Sequence, residues 1–194
     1  KKNSLEFAPN WQQALIALAL STASGGFIFG AMSFLLPRYF EMHLNDISTN
    51  VAITGILAGA VYACASFAQV LVGWLIDRIS PRLVLFWIAV GQILFIFLAS
   101  KFENLSLFFL SIAAMCFVFG QIPITDTILV RYIPDIWRSR VLSVKFLLNF
   151  FIAASVLPIT SQLLQRGFEL KMIFSFASII AIGVLISSIL LPKQ

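Results

Sequence analysis

The chain has 194 residues, of which 60% are apolar and only 11% are charged, whereas soluble domains carry about 25% charged residues. In water such a chain would expose apolar patches that aggregate, while in lipid the same side chains can face hydrocarbon. The net charge of +5 does not indicate a nucleic-acid partner: that needs a basic stripe on a solvated face, and here Lys and Arg stand singly or in small groups at the ends of apolar runs.

Six runs are long enough to cross hydrocarbon as helices, which takes about 18 or more apolar residues. The first covers residues 7–37 and is closed by Arg38. It is too long for the apolar part of a cleavable signal peptide. The second covers 47–76 and ends at Asp77 and Arg78; the third covers 83–100 and ends at Lys101. The fourth covers 104–125 and ends at Asp126. The fifth covers 141–165 and is interrupted once, by Lys145. The sixth covers 172–192 and ends at Lys193. Spanning strands would be about half as long and would alternate in polarity, so the expected fold is all-α: a polytopic bundle of six transmembrane helices in a single domain, 1–194. Six spans use most of the chain and leave no room for a separate soluble domain.

Orientation follows from the basic residues in the short loops. One side holds Lys1, Lys2, Arg78, Arg82, Arg131, Arg138, Arg140 and Lys193; the other holds Arg38, Lys101, Arg166 and Lys171. The bias places both termini in the cytoplasm. Gly55, Gly59 and Ala63 recur every four residues in the second span, and Gly25, Gly26 and Gly30 thin the first. Small residues so placed let helices approach closely in lipid; glycines in the first span can also serve as a bend for gating. Pro123 and Pro158 lie inside the fourth and fifth spans, where a proline frees a carbonyl and can kink the helix.

Polar residues inside spans are costly and usually face the bundle interior. Lys145 and Asn149 stand four apart on one face of the fifth span. Asn149 is deep enough to reach a central cavity or to bond a neighbouring helix. Lys145 is near enough to the inner surface to snorkel. Asp126 can pair with Lys145 or Arg131, as an inner gate or a structural ion pair. Gln121 stands one turn before Asp126, and Ser24 lies mid-span on the first helix with Ser21. Gln69 and Gln92 are single polar residues in spans two and three. Arg38 and Glu41 mark the outer end of span one. No Asp or Glu lies mid-membrane. His43 is the sole histidine and Cys64 and Cys116 sit inside apolar runs, so no metal site, disulfide framework or cofactor is indicated. An intramembrane protease would need a histidine within a span or paired aspartates, so the reading is not an enzyme.

Between spans two and three the chain reads Gly73-Trp74-Leu75-Ile76-Asp77-Arg78-Ile79-Ser80-Pro81-Arg82. This resembles the G-x-x-x-D-R-x-G-R-R/K loop of the major facilitator superfamily, with Ser80 in place of glycine and Pro81 in place of a basic residue. Between spans four and five, Arg131-Tyr132-Ile133-Pro134-Asp135-Ile136-Trp137-Arg138-Ser139-Arg140 is similar to that family's R-x-x-P-x-x-x-R-G-R loop, with Ser139 for glycine. In the family the two loops occupy equivalent places in an inverted three-plus-three repeat. The resemblance implies one half of a twelve-helix transporter that moves a small solute by alternating access. The charged start without Met is like the end of a central linker, which implies the C-terminal half, with the N-terminal half and the lipid bilayer as partners. A bacterial inner membrane is the expected location. In such a loop Gly73 permits close helix approach, Asp77 can accept from free N–H groups at a neighbouring helix start, and Arg78 and Arg82 can pair with carboxylates or lipid phosphates. Six spans alone would also suit a channel or a non-transporting membrane scaffold, which has no reason to carry both loops.

Overall fold

A backbone that crosses lipid must close its hydrogen bonds within each segment, and helices do so. The computed structural model describes residues 7–192, and among them it places six α-helices: α1 (Trp11–His43), α2 (Val51–Ile76), α3 (Pro81–Ala99), α4 (Asn104–Tyr132), α5 (Asp135–Gln165) and α6 (Leu170–Leu190). Each is long and apolar enough to cross a membrane. Lys1, Lys2 and Lys193, three of the residues that set the expected orientation, lie outside the described residues.

The spans agree with the apolar runs, but several ends do not. The run ending at Pro37 continues as helix through Arg38 to His43. The run ending at Thr125 continues through Asp126 and Arg131 to Tyr132, and α5 starts at Asp135, six residues before the apolar run. Charge marks where a helix leaves hydrocarbon, not where its hydrogen-bond ladder stops, so a charge-based reading truncates helices that project into the interface. The loop between α4 and α5 therefore shrinks to Ile133 and Pro134. Local chemistry sets other ends. Asn50 caps α2 by accepting from the Ala52 N–H at 2.9 Å. Pro81 opens α3 at a position that needs no N–H. Gly167, at φ 86°, closes α5 with paired bonds from the Phe168 N–H to the Leu163 carbonyl and from the Gly167 N–H to the Leu164 carbonyl.

Helix α1 packs on α4, α5 and α6; α4 packs on α1, α2 and α3; α3 and α6 pack on each other. Exchanging α1 with α4, α2 with α5 and α3 with α6 maps this pattern onto itself. Three spans is an odd number, so the second triplet crosses the membrane in the opposite sense to the first, and the repeat is inverted. The centre is the α1–α4 pair, backed by α3 and α6. Helices α2 and α5 flank it and make no contact with each other among the described residues. They keep large apolar side chains on the surface: Phe67, Val70, Leu71 and Trp74 on α2, and Val144, Leu147, Phe150 and Phe151 on α5.

Apolar burial drives little helix association in lipid, so close packing must contribute more. The α1 glycines supply it. A Cβ on Gly26 would lie 2.9 Å from the Asn149 carbonyl oxygen, and one on Gly30 would lie 2.6 Å from that of Ala153. The α1–α5 contact therefore requires glycine at both places. The small-residue stripe of α2 behaves differently: a Cβ at Gly55 or Gly59 would meet nothing within 4 Å. That stripe packs against no part of this bundle.

A candidate solute cavity and an arginine-capped loop face

Where α1, α4 and α5 meet, they enclose a cavity of about 140 Å³. Thr22, Gly25 and Phe29 come from α1, Gln121 and Thr125 from α4, and Lys145, Phe146, Asn149 and Phe150 from α5. Within each helix these residues are spaced by one, three, four or seven, so each set shares a face. At 1.5 Å per residue, Lys145 lies about 6 Å and Asn149 about 12 Å past residue 141, where the apolar run of α5 begins.

Gln121 anchors the cavity wall. Its Nε2 donates to the Ser21 carbonyl and to Ser21 Oγ, both at 2.9 Å, and its Oε1 accepts from Gln92 Nε2 at 2.9 Å. Gln92 Nε2 also donates to the Phe117 carbonyl at 3.2 Å. This thread ties α3, α4 and α1 together with interhelical bonds of about 0.6–2 kcal/mol each. Gly25 makes room for it, since a Cβ there would lie 2.6 Å from Gln121 Nε2. Thr22 Oγ1 is buried at the cavity without a hydrogen-bond partner.

Lys145 does not snorkel. Its side chain is 8% exposed, and its ammonium donates to Asp126 Oδ1, whose side chain is 40% exposed. The Lys145 ammonium also stands 5.4 Å from the Phe146 ring centre. A snorkelling ammonium would stand exposed at the interface, whereas this one is buried against Asp126. Asp126 thus reaches the cavity only through Lys145; it is not itself a lining residue. Ser24 does not line the cavity either: it faces Gly183 of α6, against which its Oγ is in close contact. Two residues along a helix turn the side chain by about 200°, so Thr22 faces the cavity and Ser24 the opposite side. Thr22, Phe29, Val118, Ile122, Thr125, Phe146 and Phe150 are lining residues that sequence reasoning missed. The spacing of Thr22, Gly25 and Phe29 carried a signal for two of them; nothing distinguished two phenylalanines among 20.

The two motif loops lie at one face of the bundle, where α2, α4 and α6 end. The last carbonyls of a helix have no partner within it and carry partial negative charge. Arginines meet them. Arg131 donates to the Ile76 carbonyl at the end of α2 at 3.3 Å, and Arg82 to the Ile189 carbonyl at the end of α6 at 3.1 Å. Arg138 donates to the Val130 and Ile133 carbonyls at the end of α4, at 2.8 and 3.1 Å, and pairs with Asp135. Arg82 and Arg131 also flank a loop-face cavity of about 200 Å³.

The other motif residues have different partners within this chain. Arg78 lies 3.8 Å from the Trp74 ring centre and donates to the Trp74 carbonyl at 3.1 Å; Arg140 lies 5.0 Å from the Trp137 ring centre. Neither Arg78 nor Arg82 pairs with a carboxylate among the described residues. Asp77 is exposed and caps no neighbouring helix among the described residues; Pro81, at the first position of α3, has no N–H to offer it. A Cβ on Gly73 would meet nothing within 4 Å, so no close approach within this bundle requires glycine there.

No protein-family model and no curated protein matches the sequence. Among solved structures, a variant of the E. coli fucose:proton symporter FucP superposes with a TM-score of 0.75 over 96% of this chain, at 14% sequence identity. The chain shares the six-helix fold of part of that symporter. Six apolar helices in this arrangement make it an integral, multi-pass membrane protein. It spans 44% of the symporter's length. At this identity the likeness concerns the fold, and the substrate named for the symporter stays with the symporter.

Proposed function

We propose that the chain is one six-helix half of a secondary transporter that moves a small solute by alternating access. The observation that carries this reading is the cavity between α1, α4 and α5. Its wall combines Gln121, Lys145 and Asn149, from the apolar stretches of α4 and α5, with a buried hydroxyl left unpartnered. Polar groups in such stretches are costly unless a ligand, water or a facing helix uses them. The exposed apolar sides of α2 and α5, and the α2 stripe that packs on nothing, leave a surface suited to the other half. A solved symporter of this fold that is more than twice as long supports the same division. In this reading the solute site is shared between the halves, the loop face with its arginines is cytoplasmic, and the membrane is a bacterial inner membrane. Transport needs no covalent chemistry: two orientations of the halves are stabilised differently by the solute. Symport and antiport are both compatible with it.

The reading frame around residue 1 tests the division into halves. Six further spans upstream, joined by a linker, make this the C-terminal half; a chain of six spans alone removes the missing half and requires a homodimer. Solute counterflow into proteoliposomes holding the full-length protein tests transport. A solute that exchanges down its label gradient supports it. Passive, non-saturating flux points to a channel, and no flux for any solute class points to a scaffold.

A further inference from the structure

The Asp126–Lys145 pair is unequal, and the inequality has a direction. Lys145 is 8% exposed and Asp126 is 40% exposed. The burial of Lys145 comes from this chain, so a partner half can only deepen it. An ionised group taken out of water must keep a counter-charge, whereas one near the surface can be solvated by water instead. Asp126, the more exposed partner and six residues before the end of α4, can therefore leave the pair more readily than Lys145 can. Lys145 has no such exit. A ligand anion can replace Asp126 at the ammonium and leave both charges satisfied. A ligand cation that took Asp126 would strand Lys145 without a counter-charge.

On this basis, and resting on the transport reading above, we infer that the solute is a small organic anion whose carboxylate takes the place of Asp126 on Lys145. The surroundings fit such a ligand. The unpartnered Thr22 hydroxyl and the Asn149 amide can meet a hydroxyl or carbonyl next to the carboxylate. Phe29, Phe146 and Phe150 supply apolar walls for its carbon skeleton. Asp126 then acts as an internal competitor: it keeps Lys145 neutralised while the cavity is empty and gives way when the anion arrives.

The test uses the full-length transporter with acetate, L-lactate and succinate as probes, glycerol and L-fucose as neutral controls, and choline as a cationic control. Binding is read by thermal shift and transport by counterflow. At least one carboxylate is expected to bind, and Lys145→Gln to abolish that binding. If Asp126 occupies Lys145 about nine-tenths of the time, Asp126→Asn tightens the carboxylate about tenfold by removing the competitor. Because Asp126→Asn also leaves an ammonium unpaired, the double variant Asp126→Asn with Lys145→Gln is measured beside it. That variant is expected to melt near the parent and to bind no carboxylate. Carboxylate binding by the double variant at the parent's affinity would overturn the inference. So would a panel in which no carboxylate binds. In that second case the neutral and cationic probes separate the two readings: their counterflow keeps the transporter and removes only the anion, and its absence counts against both.

Discussion

Thr22 and Arg138 show how single side chains divide between holding the bundle and serving a ligand. The Thr22 hydroxyl is buried with no partner, so it contributes nothing to cohesion in the empty protein. Replacing it by the isosteric Val removes a desolvated polar group, and stability is expected to hold or rise slightly. If the hydroxyl meets the solute, Thr22→Val weakens binding by about 1 kcal/mol, or about fivefold. Melting temperature and solute affinity, measured on the same preparation, check both halves of this expectation. Arg138 is the opposite case. It bonds two carbonyls at the end of α4, and Arg138→Ala leaves them to water. The expected loss is about 1 kcal/mol, discounted for partial exposure, with Arg138→Lys recovering part of it; thermal unfolding in detergent measures this. Both motif loops were legible in the sequence, but the cap role was not, because a backbone carbonyl leaves no mark in the residue string. The Lys145–Asp126 contact was open at that level for a related reason. Asp126 had two candidate bases, and only the tertiary placement of α5 against α4 chose between them.

Among the elements, α1 and α2 carry similar glycine spacing with different consequences. In α1, Gly26 and Gly30 stand against the backbone of α5, so a side chain there pushes two helices apart. Gly30→Val is expected to cost about 1–3 kcal/mol as an overpacked contact. Gly59→Val is expected to leave packing within this bundle unchanged, since nothing lies within 4 Å of a Cβ there. Thermal melts of the two variants in detergent compare them directly. If the other half covers α2, Gly59→Val instead weakens the association of the two halves. Sequence spacing located both stripes but could not say what each one faces. The helix ends divide in the same way. Apolar runs placed every span, while α1, α4 and α5 outran them because hydrogen-bond ladders continue past the hydrocarbon boundary. Ser24 shows the same limit: mid-span depth was legible, and the side of the helix was not.

The whole molecule is two inverted triplets around α1 and α4, with a cavity opening between α1, α4 and α5 and bare flanks on α2 and α5. In the proposed transport reading, the unpartnered hydroxyl, the amide and the paired ammonium face the solute, and the cavity opens to each side in turn. Asn149 lines this cavity, so its accessibility reports the central claim without knowledge of the solute. The measurement is labelling of Asn149→Cys by a small membrane-impermeant thiol reagent, in right-side-out and inside-out vesicles, with Cys64 and Cys116 replaced. Alternating access predicts reaction from both sides, at rates that solute shifts in opposite directions. Reaction from one side only, or from neither, with no change on adding any solute, would contradict it.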